Sequence, residues 1–387
     1  MAGLAWLHVV RFRTFHDSVL EPGPLCALVG EANAGKSNLL AAIRALLDPE
    51  AAPLRPEDAT VGTEGPVRIE GRLTDGTELS VDEPDAPRPP VLFLPASLRS
   101  GPVVAPWSGG ADRATEMLCA PLPDTGGDGS TTQAARGLVA GLEACREASI
   151  EGHVFLIEEP ELFLPPQTGR YLYRLLRDLA AHGNQVVYST HSPAFLNPGH
   201  LEELVIAERT AEHGTSLVHP GPLDPEESFR AFSEFDAERS ELFLARAVIL
   251  VEGRTEKLIL PYVFQALGRD ADRERISIVE CGGKARLPLF ARICRDTGVP
   301  FIVLHDRDAS EGKDPIPSEQ QLNDLLAEVA GPDRTVVLVP DFESVADLTG
   351  QRDKVTRAWK RFREIEPDEV PGPLVRLVER AVELASG

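Results

Sequence analysis

The chain of 387 residues exceeds the roughly 250–300 residues at which a single hydrophobic core usually stops growing, so two domains are expected. Its hydrophobic fraction of 42% is enough for packed cores, and no apolar run approaches the roughly 20 residues of a membrane span, so we expect no membrane partner. The formal net charge of −22 argues against a broadly basic surface for nucleic acid.

The negative charge is distributed unevenly along the chain. Residues 246–387 contain 21 Lys and Arg against 25 Asp and Glu, whereas residues 1–245 contain 18 against 36. The C-terminal part is therefore the better candidate for contact with DNA. The five cysteines include no Cys-x-x-Cys pair, and the short apolar run Leu4–Val10 is too short for a signal peptide. The cysteine pattern predicts free thiols in a reducing cytoplasm, and the apolar run suits a strand better than a signal peptide.

A phosphate-binding motif follows the first strands. Residues 4–29 predict two or three short strands, the last of them Leu25–Val29, and the segment GEANAGKSNLL comes next. This segment fits the P-loop pattern G-x-x-x-x-G-K-[ST] with Gly30, Gly35, Lys36 and Ser37. A P-loop would cradle phosphates with its backbone amides, bring Lys36 to the outer phosphates and use Ser37 to bind Mg²⁺. The alternative is an ordinary glycine-rich turn.

The next part of the chain is rich in Pro and Gly. Val67–Leu73 and Glu78–Val81 flank an Asp-Gly pair and predict a β-hairpin, and Val91–Leu94 is a further apolar run. Gly101–Gly129 is expected to be irregular. Gly129–Ala148 has a helical pattern of apolar residues.

Two further apolar runs end in polar residues that are typical of catalytic loops. The predicted strand His153–Ile157 is followed by the acidic segment Glu158–Glu161, and the predicted strand Gln185–Tyr188 leads into the segment STHSP, which contains His191. Taken alone, acidic residues after a strand usually form a solvated turn, and a lone histidine at a strand end is normally structural.

The C-terminal part predicts a parallel sheet whose strand ends bring acidic residues together. The buried run Ala247–Val251 is followed by Glu252, and the run Phe301–Leu304 is followed by Asp306 and Asp308. Because sites form outside the carboxyl ends of parallel strands, the three carboxylates could meet at one sheet edge. Such a group would need a hard divalent ion to offset its repulsion. The alternative for the Asp-x-Asp pair is a solvated loop.

These motifs together resemble a known family. The order LVEGRTEK, GGK and DRD resembles the Toprim domain of the OLD family of ATP-dependent nucleases, and RFRTFHD with LCALVGEANAGKSNLL resembles the ATPase heads of the RecF, SMC and OLD proteins. The resemblance implies an α/β chain with an ABC/RecF-like P-loop ATPase domain at residues 1–222 and a Rossmann-like Toprim domain at residues 246–387. Residues 223–245 are predicted to be a charged, helical connection.

The resemblance also implies an ATP site in the first domain. Glu158 would be the Walker B residue that holds the Mg²⁺ shell, Glu159 would orient or deprotonate the attacking water, and His191 would sense the γ-phosphate. Thr131 stands where related ATPases have the glycine of a signature motif, which leaves ATP turnover open. The predicted nucleotide-binding residues are Gly30, Asn33, Gly35, Lys36, Ser37, Asn38 and Glu158.

In the Toprim-like domain the resemblance implies two metal ions held by six carboxylates. A late active-site lysine, Lys354, is expected beside them. Lys354 also lies within the basic stretch Arg352–Arg363, which is either a DNA phosphate-binding face or only solvated surface. The alternative to a metal role for Glu256 is an acid at a helix start, where the helix dipole favours it. The alternative for Asp341 and Glu343, which follow the run Val336–Val339, is an exposed turn. The predicted metal ligands are Glu252, Glu256, Asp306, Asp308, Asp341 and Glu343.

The function that this resemblance implies is an ATP-binding, Mg²⁺- or Mn²⁺-dependent DNA endonuclease or nickase that acts in phage defence or DNA repair. A homodimer or higher homo-oligomer is expected, with a helicase or another defence protein as a possible partner. The alternative is a nucleotide-gated DNA-binding or assembly module whose Toprim site does not cut. Strand passage or priming is disfavoured, because no tyrosine lies in a recognisable winged-helix context and no zinc-ribbon cysteines are present.

Overall fold

The chain divides into two compact units, Met1–Pro222 and Leu223–Gly387. Residues 223–245 therefore group with the second unit. The computed structural model describes residues 3–96, 113–118, 130–210, 212–308, 314–348 and 353–386, and within these the side chains of residues 130–135 are not described.

The first unit is built around one large mixed sheet. In the described residues its strands are β1 (Leu4–Phe12), β2 (Phe15–Leu20), β3 (Leu25–Val29), β4 (Arg68–Leu73), β5 (Glu78–Ser80), β6 (Val91–Leu94), β7 (Val154–Glu158), β8 (Gln185–Ser189), β9 (Leu204–Thr210) and β10 (Gly214–Val218). Its helices there are α1 (Lys36–Leu47), α2 (Arg113–Leu118), α3 (Ser130–Glu147) and α4 (Pro166–Ala181).

The strand order places the P-loop strand inside a parallel block. The order is β5-β4-β1-β2-β10-β9-β3-β8-β7-β6, in which β9, β3, β8, β7 and β6 run parallel and the remaining pairs are antiparallel. All five residues of β3 are buried, as expected for a central strand covered on both faces. Helix α1 buries Leu39, Leu40, Ile43 and Leu46 in the core beside this sheet.

Several sequence predictions about this unit are confirmed. The hairpin is the antiparallel pair β4–β5, and the runs around residues 91, 154 and 185 are strands β6, β7 and β8. The prediction that Gly101–Gly129 is irregular is wrong at Arg113–Leu118, which forms α2, where Ala114 and Leu118 are buried. The rest of that stretch lies outside the described residues.

The second unit contains a smaller sheet in which all strands are parallel. Its strands in the described residues are β11 (Ala247–Val251), β12 (Ile276–Glu280), β13 (Phe301–Asp306) and β14 (Thr335–Leu338), in the order β12-β11-β13-β14. Its helices there are α5 (Pro225–Glu234), α6 (Arg254–Ala266), α7 (Leu287–Asp296), α8 (Pro317–Ala330), α9 (Phe342–Val345), α10 (Lys354–Phe362) and α11 (Gly372–Ser386).

Packing and register explain how this sheet presents its acidic residues. Every residue of β11 is buried. Residues of helices α6 and α11 belong to the same core cluster as this strand, and helix α7 also packs against it. Helix α6 continues through Pro261. Val251 is in register with Glu280 on β12 and with Leu304 on β13, so the carboxyl ends of the three strands lie side by side. The predicted parallel sheet is confirmed.

The remaining predictions from composition concern membrane spans and cysteines. No helix among the described residues is long and apolar enough to cross a lipid bilayer. Four cysteines are buried there without a disulfide between them, and Cys119 lies outside the described residues. The four are Cys26, Cys145, Cys281 and Cys294.

Candidate functional site

The predicted P-loop of the first unit begins at a glycine with a positive φ and ends at the start of helix α1. Gly30 has φ 138° and lies so close to Ala207 that a Cβ would collide with the Ala207 carbonyl oxygen. Helix α1 begins directly after the loop, so its N-terminal amides face the same side. Lys36 is 5% exposed, and its Nζ donates to the carbonyl oxygens of Gly30 and Glu31, each at 2.8 Å. Burial lowers the pKa of Lys36 to about 8.

The acidic segment and the histidine segment are brought together because their strands are neighbours. Strands β7 and β8 are parallel and pair Glu158 with Ser189. The Oε2 atom of Glu158 accepts a hydrogen bond from the Ala96 amide at 3.0 Å. Glu159 adopts a left-handed backbone with φ 46°, and its Oε1 lies 3.4 Å from Nε2 of His191. Burial lowers the pKa of His191. The predicted pair Glu159 and His191 is therefore in contact.

Sequence reasoning did not select Glu161, which joins these two segments. Its Oε1 accepts hydrogen bonds from the hydroxyl of Thr190 and from the amide of His191, both at 2.8 Å. Burial and the neighbouring Glu159 carboxylate raise the pKa of Glu161 to about 7. The signal in the sequence is an acid that follows the first acidic pair by two residues, but its partners lie about thirty residues away and only the strand order reveals them.

The remaining predicted nucleotide-binding residues surround the P-loop in different ways. Asn33 has φ 66° and belongs to the loop itself. Asn38 uses its amide locally, because Nδ2 donates to Oγ1 of Thr14 at 3.1 Å and Oδ1 accepts from Arg13 at 3.3 Å. A cavity of about 350 Å³ adjoins the loop and is lined in part by Ser37, Arg13, Arg44 and Glu158. The side chain of Thr131 lies outside the described residues.

In the second unit, hydrogen bonds donated by backbone amides link the end of β13 and the segments that follow β11, β12 and β14 into one acidic centre. Oε1 of Glu252, directly after β11, accepts from the Asp306 amide at the end of β13, at 2.8 Å. Oδ1 of Asp306 accepts from the Phe342 amide at 2.8 Å. The Glu252 carbonyl accepts from the Gly283 amide at 2.7 Å, which brings in the segment after β12.

The electrostatics of this centre indicate carboxylates in need of positive charge. Burial, followed by the nearby Glu252, Glu256 and Asp308 carboxylates, raises the pKa of Asp306 to about 8. Burial raises the pKa of Glu252 to about 7, and burial also raises the pKa of Glu256. Burial makes the ionised forms of these acids less stable in the folded chain than in water. A bound cation would stabilise those ionised forms.

The other predicted ligands lie nearby but already have partners. Oδ2 of Asp308 lies 2.7 Å from Nζ of Lys284. Asp341 caps helix α9, accepting from the Ser344 amide at 2.8 Å. Glu343 pairs with the ammonium of Lys354, which raises the pKa of that lysine. The structure therefore brings Lys354 to the acidic centre through Glu343.

The donor set fits a hard divalent cation by its chemistry. Among the described residues, no three His, Cys, Asp or Glu side chains stand together at metal-binding distances as they are oriented. The oxygens of Glu252, Glu256 and Asp306 are nevertheless the ligand type that Mg²⁺ and Mn²⁺ prefer, and burial, with neighbouring carboxylates as a lesser cause, raises the pKa values of all three.

The predicted basic face lies on helix α10. Arg357, Lys360 and Arg361 are exposed there, while Ala358 and Phe362 are buried. Arg352 lies outside the described residues. The exposed residues therefore present cations to solvent close in sequence to Lys354.

The first sheet carries a P-loop motif, and the second, parallel sheet has acidic residues directly after its strands. Together they define a class of protein in which an ATPase-type domain and a Toprim domain share one chain. Comparison with known families agrees. Residues 243–308 match the family model described as "Overcoming lysogenization defect protein-like, TOPRIM domain". Residues 129–197 match an AAA-domain model whose description names the AbiEii toxin of a type IV TA system. The predicted fold class is confirmed.

The chain is similar to proteins named OLD nucleases, so the predicted resemblance is also confirmed. It is 30% identical to the OLD nuclease of Thermus scotoductus over 267 residues, which are 62% of this chain and 50% of the relative. It is 27% identical to the Old nuclease of Escherichia phage P2 over 173 residues, which are 42% of this chain and 29% of the relative. The chain thus spans half the length, or less, of these curated relatives.

A solved structure also aligns with part of the chain. The C-terminal region of the Burkholderia pseudomallei OLD protein aligns with 36% of this chain and 98% of its own length, at 15% identity and a TM-score of 0.28. At this TM-score the alignment adds nothing to the domain assignment, which follows from the family models and the curated relatives.

Proposed function

We propose that the protein is an ATP-binding, divalent-metal-dependent DNA endonuclease or nickase of the OLD type. The observation that carries this proposal is the acidic centre at the carboxyl edge of the second sheet. Glu252 and Asp306 are joined there by a hydrogen bond of 2.8 Å, and both have strongly raised pKa values. Carboxyls whose pKa values are raised mainly by burial, with further acids beside them, are typical of functional sites. We propose residues 246–387 as the nuclease domain.

The chain's own residues would divide the work of phosphodiester hydrolysis. Glu252, Glu256 and Asp306 would hold a divalent ion, with Asp308, Asp341 and Glu343 as the remaining predicted carboxylates around them. When bound, Mg²⁺ or Mn²⁺ supplies Lewis-acid activation of water and charge stabilisation at the leaving oxygen.

Lys354 would add a mobile cation next to that centre. Its Nζ pairs with Glu343, and its side chain is 58% exposed, so it can reach solvent-borne phosphate without a rearrangement of the helix. The exposed arginines of α10 would contact neighbouring backbone phosphates, which would orient DNA without reading its sequence.

The first unit would bind ATP, and we propose residues 1–222 as the ATPase domain. Lys36 would turn from the Gly30 and Glu31 carbonyls to the outer phosphates, and Ser37 and Glu158 would complete the Mg²⁺ shell. Glu159 would orient water, and His191, which it contacts at 3.4 Å, would face the γ-phosphate. The proposed setting is phage defence or DNA repair in the cytoplasm, with a homo-oligomer as the working state.

The proposal is tested by cleavage of supercoiled plasmid in a titration of Mg²⁺ or Mn²⁺, with and without ATP. Wild type should nick or linearise the plasmid only when the divalent ion is present. Asp306→Ala should abolish cleavage, and Asp368→Ala, at an exposed position of the same domain, should leave it unchanged. Cleavage by Asp306→Ala at the wild-type rate would remove the acidic centre from the chemistry. Metal-independent DNA binding without cleavage by wild type would instead favour a nucleotide-gated DNA-binding module.

A further inference from the structure

Strand β12 forms one edge of the second sheet, and that edge is open. Among the described residues β12 pairs only with β11, because the strand order is β12-β11-β13-β14. The Cys281 amide donates to the Val251 carbonyl, so the odd-numbered residues of β12 are the ones that bond to β11 in this parallel pair. The backbone groups of Ile276, Ile278 and Glu280 therefore point away from the sheet.

Two contacts close the ends of this open edge and leave its middle accessible. The Ile276 amide donates to the Ala271 carbonyl, and Nε of Arg239 donates to the Glu280 carbonyl, each at 2.8 Å. In the part of the chain that the structure describes, the amide and carbonyl of Ile278 have no partner. An unpaired strand edge is a template for another extended chain, and proteins commonly block it with Lys or Pro. The sequence of β12, ISIVE, contains neither.

A groove of about 560 Å³ lies against the same edge. Ile276–Val279 of β12 line it, together with Pro261, Tyr262 and Gln265 of helix α6. The other lining residues belong to the segments 238–241 and 269–272. Because neighbouring strands lie only about 4.8 Å apart, an extended chain that pairs with Ile278 would lie in this groove.

The charged side chains that line the groove are mainly acidic. Two of the lining residues are basic, and both already have acidic partners. Nζ of Lys257 lies 2.6 Å from Oε1 of Glu238, and Nη1 of Arg269 lies 3.3 Å from Oε1 of Glu274. The groove therefore favours a segment that carries positive charge. The acids of the lining are Glu238, Glu241, Asp270 and Asp272.

We propose that β12 is a docking site for an extended, basic segment of a partner protein, which adds to the second sheet as a further strand. Backbone hydrogen bonds to Ile278 would hold the segment, and its Lys or Arg side chains would meet the acids of the groove. A second copy of this chain suits the groove less well, because its own β12 has no basic residue and ends in Glu280. Docking at this edge does not depend on the proposed nuclease chemistry.

The first test measures fluorescence anisotropy of labelled peptides with the full chain in EDTA. A peptide of alternating lysine and valine, KVKVKV, should bind at least about tenfold more tightly than its glutamate counterpart, EVEVEV. A lysine peptide methylated at every backbone nitrogen keeps its charge but loses its amide donors, so it should bind at least about tenfold more weakly than KVKVKV. Equal binding in either comparison, or no binding of KVKVKV, would overturn the proposal.

The second test uses variants of the protein. Ile278→Pro removes the outward amide but not the bonds to β11, which the residues on either side make, and an edge strand tolerates such a proline. It should weaken KVKVKV binding at least about tenfold, whereas Ile278→Val keeps the amide and should change it less than about twofold. Glu241→Gln with Asp272→Asn should weaken binding by about three- to tenfold. Asp368→Asn with Glu383→Gln removes two exposed acids elsewhere in the unit and should have no effect.

Unchanged affinity in the groove double variant would overturn the proposal even if Ile278→Pro does not fold. Sedimentation then distinguishes a partner protein from a second copy as the occupant. The proposal predicts that wild type and Ile278→Val have the same mass in solution with and without KVKVKV, apart from the bound peptide. Dissociation of a larger wild-type assembly by the peptide would show that a second copy occupies the edge, which would also overturn the proposal.

Discussion

The strongest prediction concerns the stability cost of Asp306 when no metal is present. The pKa of its carboxyl is raised from an ordinary value of 3.8 to about 8, first by burial and then by Glu252, Glu256 and Asp308. Between these two values the folded protein binds a proton that the unfolded chain releases, so the group lowers stability as pH rises from about 4 to 8, and the cost is constant above that. Asn at this position carries no charge and keeps an oxygen for the Phe342 amide.

The magnitude follows from the size of the shift. About four units at roughly 1.4 kcal/mol each give a ceiling of about 6 kcal/mol. Because Asp306 shares its repulsion with Glu252, we expect Asp306→Asn to raise the free energy of unfolding by about 1–3 kcal/mol at pH 9. That gain corresponds to roughly 3–10 °C in the unfolding midpoint of a unit of this size. At pH 5 the gain should be smaller by at least half.

The assay is thermal unfolding in EDTA at pH 5, 7 and 9, with Glu383→Gln as an exposed control that removes one negative charge. A second series in Mn²⁺ should reverse the ranking, because wild type gains stability from the bound ion and Asp306→Asn does not. An Asp306→Asn variant that is less stable than wild type in EDTA at pH 9 would refute the reasoning, since the carboxylate would then be stabilising by itself.

Three further predictions concern the ATP site and DNA binding. Lys36→Ala should lose detectable ATP binding in calorimetry, because the phosphates lose their cation; unchanged affinity would contradict a P-loop role. Glu161→Ala should slow ATP hydrolysis at least tenfold while keeping ATP affinity within about threefold, because it frees the segment that carries His191. Phosphate release measures this, and equal turnover would contradict it. Replacing Arg357 and Arg361 by Gln should flatten the log–log salt dependence of DNA binding by roughly one to two units. The exposed Arg376→Gln is the control, and an unchanged slope in the double variant would make α10 solvated surface only.

Much of the fold could be predicted from the sequence because its strands have distinct patterns. The runs Leu25–Val29 and Ala247–Val251 are continuous and apolar, as strands covered on both faces must be, and the P-loop motif and Glu252 that follow them are then fixed at the carboxyl edges. The short helix Arg113–Leu118 was missed because six residues within a stretch rich in Pro and Gly give too little periodicity to recognise.

The pairing of side chains within the sites could not be predicted in the same way. Glu161 meets Thr190 at a separation of 29 residues, and Lys284 meets Asp308 at a separation of 24. Both contacts depend on which strands are neighbours and on the turns after them, and neither is encoded in local pattern. The sequence could thus predict an acidic centre, but not that one of its aspartates already has a buried lysine as its partner.

The central claim is that the carboxylates at the ends of β11 and β13 hold the ion that serves DNA cleavage. The most direct measurement is anomalous X-ray diffraction from crystals of the full chain soaked in Mn²⁺, using a preparation that cuts plasmid in solution. The account predicts an anomalous peak within coordination distance of Glu252 and Asp306 and its disappearance in Asp306→Asn. A preparation that cuts DNA but places Mn²⁺ elsewhere, or a peak that survives in Asp306→Asn, would contradict it.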